Sequence, residues 1–119
     1  MPSSLRGMET DWTPAISADE LPEGKATRVS VDGVDVLLYL AGETLFAIGN
    51  RCSHQGAPLH KGVVKSAGSI QSVTCPVHGS VFQLSDGRVL RGPALEPVAA
   101  YEARINGDMV QVRPRPGLA

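Results

Sequence analysis

The sequence predicts an all-β fold of short antiparallel strands joined by tight turns. Short apolar runs rich in β-branched residues are each bounded by turn residues. Asp-Gly and Asn-Gly pairs follow several of these runs and favour β-hairpins. The 13 glycines and 9 prolines argue against long helices. A chain of 119 residues, 42% of them hydrophobic, suits one compact domain.

The elements are predicted in chain order as follows. Residues 1–10 are small and polar, which indicates a flexible tail before a fold that starts near Trp12. One helical turn is expected at Ala18–Pro22, with Ser17 placed to cap it. The predicted strands are Ala26–Val31, Val34–Leu40, Thr44–Ile48, Ile70–Thr74, Ser80–Leu84, Val89–Leu90, Ala100–Ile105 and Met109–Val112. Residues 114–119 are expected to form a loose end.

Turn chemistry and large apolar side chains refine this picture. Asp32-Gly33 favours a type I′ turn, in which both central residues have positive φ. Asp86-Gly87 and Asn106-Gly107 repeat the pattern. Large apolar residues on short strands usually fill interiors, so we expect core positions at the following residues: Trp12, Leu38, Phe46 and Val110.

The net charge of the chain argues against nucleic acid and anionic membranes as binding partners. A net charge of −1 gives no overall basic surface for nucleic acid or an anionic membrane. No stretch reaches the roughly 20 apolar residues that span a bilayer, and the start MPSSLRGMETDW lacks the apolar run of a secretory signal. We expect a soluble, cytoplasmic protein without a nucleic-acid or membrane partner.

One segment departs from this balance. Residues 51–91 carry five basic residues and one acidic residue, a charge of +4. The basic residues are Arg51, Lys61, Lys65, Arg88 and Arg91. They fit an ordinary solvated surface, or a ring around a redox site that steers acidic partners towards it.

Two motifs inside this segment each place a cysteine close to a histidine: Cys52-Ser-His54 and Cys75-Pro-Val-His78. A disulfide would be expected in a secreted domain, but nothing indicates secretion. One zinc ion in a structural module that binds another protein is an alternative, although structural zinc sites usually pair like ligands within each short loop. The alternating order favours a binuclear iron–sulfur cluster to which each motif gives one ligand per iron.

The residues after each motif are typical of loops that wrap around sulfur. Gly56 and Gly79 let the backbone approach closely and direct amide N–H groups at sulfides. Pro58 and Pro76 would stiffen the loops, and Leu90–Ala94 could cover the cluster. Ordinary loop structure would also explain these glycines and prolines on their own.

On these motifs the chain resembles the Rieske ferredoxin family. The family's defining pattern, Cys-x-His followed after 20 residues by Cys-x₂-His, is complete, and Gly92-Pro-Ala94 adds to the match. The resemblance extends from about Trp12 to Val112. It implies a Rieske fold over residues 11–113: an antiparallel β-sandwich or barrel base with a small inserted cluster-binding subdomain at about 50–94.

The resemblance also implies one Rieske-type [2Fe–2S] cluster. The iron ligands that it carries over are Cys52, His54, Cys75 and His78. The other residues expected to contact the cluster are Gln55, Gly56, Gly79, Ser80 and Pro93. His60, the third histidine, receives no iron, and a docking role for it competes with plain exposure.

Two positions indicate the subfamily. Ala57 and Val77 stand where high-potential Rieske proteins of membrane complexes have cysteines joined as a disulfide. The chain is therefore similar to the soluble ferredoxins, which carry electrons from a flavin-dependent NAD(P)H reductase to the terminal oxygenase of aromatic-ring hydroxylating systems. This implies a monomeric one-electron carrier, not itself an enzyme, that docks transiently at the His54/His78 edge. A nitrite reductase small subunit and an iron–sulfur redox sensor are the alternatives.

Two further positions bear on the reduction potential. Ser80 matches the serine that in high-potential relatives donates a hydrogen bond to a cluster sulfur, whereas Phe82 stands where those proteins have a tyrosine. With one potential-raising donor present and one absent, we expect a midpoint in the lower half of the known range of about −150 to +300 mV, but not at the bottom of that range.

Overall fold

A computed structural model of the protein describes residues 12–114, so the predicted tail at 1–10 and residues 115–119 of the predicted loose end lie outside it. The described part forms ten strands and two single 3₁₀ turns, Ala18–Glu20 and Leu59–Lys61. The strands are β1 Thr13–Ser17, β2 Thr27–Val31, β3 Val34–Ala41, β4 Thr44–Gly49, β5 Val63–Ala67, β6 Ile70–Thr74, β7 Val81–Gln83, β8 Val89–Arg91, β9 Ala100–Asn106 and β10 Met109–Pro114. Within residues 12–114, no helix has the length and apolar character needed to cross a membrane. The predicted all-β class is confirmed.

Six strands form the base of the molecule. They make an antiparallel sheet in the order β1-β10-β9-β4-β3-β2, whose two edge strands contact each other, so the sheet is nearly closed into a barrel. The hairpin between β2 and β3 has the predicted turn: Asp32 and Gly33 have φ of 53° and 80°, and Val31 pairs with Val34 across them. Both positive φ values are those that a type I′ turn requires.

The other four strands form an inserted sheet in the order β5-β6-β7-β8. The insertion begins after β4 and ends before β9, and these two strands are neighbours in the base, where Ala47 pairs with Tyr101 and Ile48 with Ala100. The chain therefore leaves the base after Gly49 and returns at Ala100. Both Cys/His motifs lie in this insertion, so the predicted architecture of a base with an inserted subdomain is confirmed.

Strand β3 is buried on both faces, because successive side chains of a strand point to opposite sides. Val36 and Leu38 belong to a cluster that fills the barrel. Leu37 and Tyr39 belong to a second cluster, formed with residues of the insertion, that contains the fully buried Phe82 and both cysteines. The cysteines are therefore part of the packed core between the two sheets.

The structure confirms three of the four predicted core residues. Leu38 and Val110 are fully buried, and Phe46 packs against the core from a partly buried position. The prediction for Trp12 is wrong: its ring lies outside both clusters, between two arginine side chains of β9 and β10 whose guanidinium carbons are 4.2 and 4.4 Å from the ring centroid. Ser17 precedes the predicted helical turn but makes no capping hydrogen bond.

Two strands and two turns differ from the sequence prediction. The sequence does not predict β1, because Pro14 argues against a strand there. The strand forms nevertheless, because β1 lies at a sheet edge, where proline is tolerated. The sequence does not indicate β5 either, because four of its five residues are exposed and show no apolar alternation. Asp86-Gly87 lies in a longer loop between β7 and β8, and the turn between β9 and β10 is centred on Gly107 and Asp108 rather than on Asn106-Gly107.

Candidate metal centre

The first Cys/His motif lies in a closed loop directly after β4. The Gly56 N–H donates a hydrogen bond to the Cys52 carbonyl at 2.7 Å, and the Cys52 N–H donates to the Ala57 carbonyl at 2.9 Å. Gly56 has φ +77°, a conformation that a residue with a side chain rarely adopts. The loop therefore turns back on its cysteine within five residues, and His54 stands at its outer bend.

The second motif closes in the same way between β6 and β7. The Gly79 N–H donates to the Cys75 carbonyl at 3.2 Å, the Cys75 N–H donates to the Ser80 carbonyl at 2.7 Å, and Gly79 has φ +81°. In both loops the glycine follows the cysteine by four positions, although the histidine follows by two in the first and by three in the second. Both motifs thus form loops that close through the same pattern of backbone hydrogen bonds and a glycine with positive φ.

The two loops bury their cysteines and expose their histidines. Cys52 is 3% exposed and Cys75 is 4% exposed, and both belong to the core between the sheets. His54 and His78 are exposed, and their rings form an edge contact with centroids 5.1 Å apart. The arrangement places two thiols on the core side and two imidazoles on the solvent side.

This geometry bears on the alternatives that the sequence leaves open. The two cysteines do not form a disulfide with each other. Within residues 12–114, no three His, Cys, Asp or Glu side chains come close enough together to hold one metal ion. A tetrahedral zinc site needs four ligands around one point. Separate cysteine and histidine pairs suit the two irons of a binuclear cluster instead.

A third segment covers the loops. The Ala94 N–H donates to the Ser80 hydroxyl oxygen at 3.0 Å, and the Ser53 hydroxyl donates to the Glu96 carbonyl. Ser80 is completely buried, and because its oxygen accepts from Ala94, its own hydrogen is left to donate elsewhere. The covering segment is thus tied to both Cys/His loops. Pro93 in this segment is exposed.

The remaining predicted contact residues lie in the two loops. Gln55 is exposed beside His54, and Gly56 and Gly79 are partly buried at the loop closures described above. The structure therefore brings four of the five predicted contact residues, together with the four predicted ligands, into two adjacent loops, and it places the fifth, Pro93, in the covering segment. Ser80 is the one whose side chain is aimed into the interior.

A clamp that was not predicted from the sequence lies at the base of the first loop. Asn50 is 1% exposed, its side-chain oxygen accepts the His60 N–H at 2.8 Å, and its amide nitrogen lies 2.9 Å from His60 Nδ1. Its backbone carbonyl also accepts the Leu59 N–H at 2.7 Å. Asn50 thereby joins the two ends of the loop that carries Cys52 and His54. A polar residue that directly follows a strand and precedes a motif is the only sequence feature that could have indicated it.

The clamp fixes the state of His60. An amide nitrogen can only donate, so Nδ1 accepts and Nε2 carries the hydrogen of the neutral ring. The pKa of His60 is lowered from its usual 6.5, first by burial and then by the positive charges of Arg28 and Lys61, with Asp35 opposing them. The neutral form is therefore favoured in the folded protein.

The predicted basic residues are divided among different surroundings. Arg51 and Lys61 line a cleft beside the first loop. Arg88 forms an ion pair with Asp86 at 3.0 Å. The other two, on β5 and β8, are exposed on the inserted sheet.

Two relatives share most of the chain's length. The ferredoxin component of a naphthalene 1,2-dioxygenase system from Pseudomonas aeruginosa is 29% identical over 105 residues, 88% of this chain and 97% of the relative. The ferredoxin subunit of a 3-phenylpropionate/cinnamic acid dioxygenase from Shigella flexneri serotype 5b is 33% identical over 88 residues, 74% of this chain and 79% of the relative. Both are named as ferredoxin parts of dioxygenase systems.

Solved structures agree in fold. The ferredoxin of carbazole 1,9a-dioxygenase from Nocardioides aromaticivorans IC177 superimposes with a TM-score of 0.78 at 31% identity, covering 87% of this chain and 98% of that one. A chain of the complex of reduced oxygenase and oxidized ferredoxin of carbazole 1,9a-dioxygenase gives 0.74 at 25%, covering 91% and 97%. A protein assigned as the small subunit of an NADH-dependent nitrite reductase from Mycobacterium tuberculosis gives 0.74 at 29%, covering 90% and 96%.

The family itself follows from a match over most of the chain. Residues 11–102 match the model of the Rieske [2Fe-2S] domain, and this range contains β1 to β8, the start of β9 and both Cys/His loops. The chain belongs to the Rieske [2Fe-2S] domain family, and its cofactor is a Rieske-type cluster.

Proposed function

We propose that this protein is a one-electron carrier that passes electrons from a flavin-dependent NAD(P)H reductase to the terminal oxygenase of a ring-hydroxylating system. The observation that carries the proposal is the orientation of the two loops, with thiols in the core and imidazoles at the surface. A site with one insulated side and one exposed side can exchange electrons with a docked partner while its sulfur side stays dry. The protein itself makes and breaks no substrate bond.

The residues fit the cofactor. Cys52 and Cys75 would hold one iron and His54 and His78 the other, which is the ligand division of Rieske centres. When bound, a Rieske cluster takes up and releases a single electron. The Ser80 hydroxyl, which is buried and has a free hydrogen, would donate to a cluster sulfur and stabilise the more negative reduced state.

The partners are inferred from the relatives and from the exposed edge. Both relatives are named as ferredoxin parts of dioxygenase systems, and one similar chain comes from a complex of oxygenase with ferredoxin. Partner surfaces would dock at the His54/His78 edge, because the imidazoles are the exposed ligands. We place this monomeric carrier in the cytoplasm, where NAD(P)H supplies the reductase.

Apolar side chains beside this edge support docking there. Leu95 is 94% exposed, and it lies between Ala94 and Glu96, which are hydrogen-bonded to the two Cys/His loops. Val77, within the second loop, is 55% exposed. Exposed apolar residues next to polar groups are typical of protein interfaces.

Spectroscopy and reconstituted turnover test the proposal. The purified protein should contain iron and sulfide, and its reduced form should give the low average g value of a Rieske centre. His78→Ala should abolish this signal, whereas the matched change His60→Gln should leave it intact. In turnover, NADH oxidation by a reductase should drive product formation by an oxygenase only when this protein is added. Zinc in place of iron, or an unaltered signal in His78→Ala, would contradict the proposal.

A nitrite reductase is the second candidate partner, because the structural match to the assigned nitrite reductase subunit is nearly as good as that to the ferredoxin. The two are separated by mixing the protein with each catalytic component. Stimulated ring hydroxylation supports the first candidate. A stable complex with a nitrite reductase large subunit, and stimulated nitrite reduction, would support the second.

A further inference from the structure

A cleft of about 500 Å³ lies beside the first Cys/His loop, on a surface to which the proposed electron transfer assigns no role. Three cationic side chains line it, Arg28 from β2, Arg51 from the loop and Lys61 from the second 3₁₀ turn, and one carboxylate, Asp35 from β3, stands among them. We call this surface, together with His60, the basic cleft. It carries a net charge of +2 when His60 is neutral.

Most of this positive charge is not neutralised within the protein. Arg28 pairs with Asp35 at 3.4 Å, and both side chains are well exposed. Within residues 12–114, Arg51 and Lys61 have no carboxylate within ion-pair distance. The Arg51 guanidinium lies so close to Gly56 that a Cβ there would be 3.0 Å from its Nη2. The Arg51 guanidinium thus lies beside Gly56 of the loop that carries Cys52.

His60 adds a neutral donor to the same surface. Because Asn50 occupies Nδ1, the ring presents Nε2–H and no acceptor. Burial is the main cause of the lowered pKa of His60, and the charges that face the ring are the cations Arg28 and Lys61, which lower the pKa further, and Asp35, which opposes them. All these groups suit an anion, and carboxylates are strong acceptors for both guanidinium and imidazole N–H groups.

We propose that the basic cleft binds an acidic segment of a protein partner, through carboxylate side chains that contact Arg28, Arg51, Lys61 and His60. The inference rests on the proposed function only in taking that partner to be an electron-transfer partner. The cleft is continuous with the proposed docking edge, because Arg51, Gly56 and Pro58 belong to the loop that presents His54. A partner at that edge would therefore meet the cleft, and acidic side chains there would fix its orientation.

The test uses the cluster-containing protein and a synthetic probe. Binding of N-acetylated, amidated hexaglutamate is measured by calorimetry at low salt, with hexaglutamine as the neutral peptide and inorganic phosphate as the free anion. The double variant Arg28→Gln/Lys61→Gln removes two cations from the cleft. Lys65→Gln/Arg91→Gln removes the same charge from exposed positions outside it and is the matched control.

We expect hexaglutamate to bind and hexaglutamine not to bind. The cleft variant should weaken binding about fivefold, because each exposed ion pair contributes modestly, and the control should change it less than about twofold. Asp35→Asn, which removes the carboxylate of the cleft, should tighten binding. Hexaglutamate should also raise the pKa of His60 in NMR titrations, because a bound anion favours imidazolium.

Equal weakening in the cleft variant and the control would overturn the proposal, since it would indicate only a diffuse field. Phosphate that binds as tightly as the peptide would assign the cleft to free anions and would overturn it as well. The Rieske signal and reduction by dithionite are recorded for every variant. An unmodified protein that shows the signal but does not bind hexaglutamate refutes the docking cleft alone, whereas an absent signal in the unmodified protein refutes the proposed function.

Discussion

The clamp between Asn50 and His60 should make the first Cys/His loop sensitive to pH. His60 Nδ1 accepts a hydrogen bond from the Asn50 amide, 2.9 Å away, while the Asn50 oxygen accepts the His60 N–H. Protonation of Nδ1 would place two donors opposite each other, and the amide cannot rotate without losing its other bond. Acidification should therefore remove one of the three hydrogen bonds that join the two ends of the loop.

The direction of the effect follows from the lowered pKa of His60. Between the folded value and the unfolded value of 6.5, the unfolded chain binds more protons, so stability falls as pH decreases through this window. The stabilisation is complete above pH 6.5 and is lost towards the folded pKa. One neutral hydrogen bond corresponds to about 1 kcal/mol. In a domain of this size that is a decrease of about 5 °C in Tm.

His60→Gln provides the comparison, because glutamine offers an acceptor oxygen to the Asn50 amide but does not titrate. Thermal unfolding of both cluster-containing proteins is followed by circular dichroism and by the visible absorbance, from about pH 8 to about pH 5. Below about pH 6.5 the unmodified protein should lose stability relative to His60→Gln. Parallel curves for the two proteins would refute the reasoning. Asn50→Ala should cost more, about 2 kcal/mol, because it also leaves the His60 backbone N–H without its acceptor.

Three further changes test other parts of the structure. Ser80→Ala should lower the midpoint potential by about 60 mV, equivalent to about 1.4 kcal/mol for one electron. An unchanged midpoint in a potentiometric titration would exclude the hydrogen bond to sulfur, and a midpoint above about +200 mV in the unmodified protein would contradict the low potential expected from the sequence. Leu95→Asp should slow electron transfer to the oxygenase in stopped-flow experiments while the midpoint potential stays the same, and an unaffected rate would place docking elsewhere. Leu37→Ala should destabilise the domain by about 2–5 kcal/mol in denaturant unfolding, because the side chain is fully buried between the two sheets. A loss below about 1 kcal/mol would mean that the sheets relax to fill the cavity left by the substitution.

The parts of the site that could be predicted from the sequence are those encoded locally. Cys52 and Gly56, like Cys75 and Gly79, are four positions apart, and each pair closes its own loop by backbone hydrogen bonds. The hairpin at Asp32-Gly33 is predictable for the same reason, because its turn depends on the two residues that form it.

The parts that could not be predicted depend on contacts between distant elements. Trp12 contacts Arg104 of β9 and Arg113 of β10, which follow it by 92 and 101 positions, and nothing near Trp12 in the sequence indicates them. Asn50 and His60 are joined only because the intervening loop closes. The exposed β5 forms because β6 offers it an edge, not because its own sequence alternates.

The burial of the two cysteines also links the cofactor to the stability of the whole domain. Cys52 and Cys75 belong to the same core cluster as Leu37 of the base and Phe82 of the insertion, so they lie where the two sheets pack together. Because a thiolate cannot be buried in such a core without a counter-charge, the cysteines suit this position when they bind metal. A cluster that binds only the folded chain would add its binding free energy to the free energy of unfolding. Chelation of iron should therefore loosen the contact between the sheets, whereas the barrel interior around Val36 and Val110, which contains no ligand, should stay packed. Amide hydrogen exchange would distinguish this outcome from uniform unfolding, because only the former leaves the exchange of β3 and β10 amides slow after iron is removed.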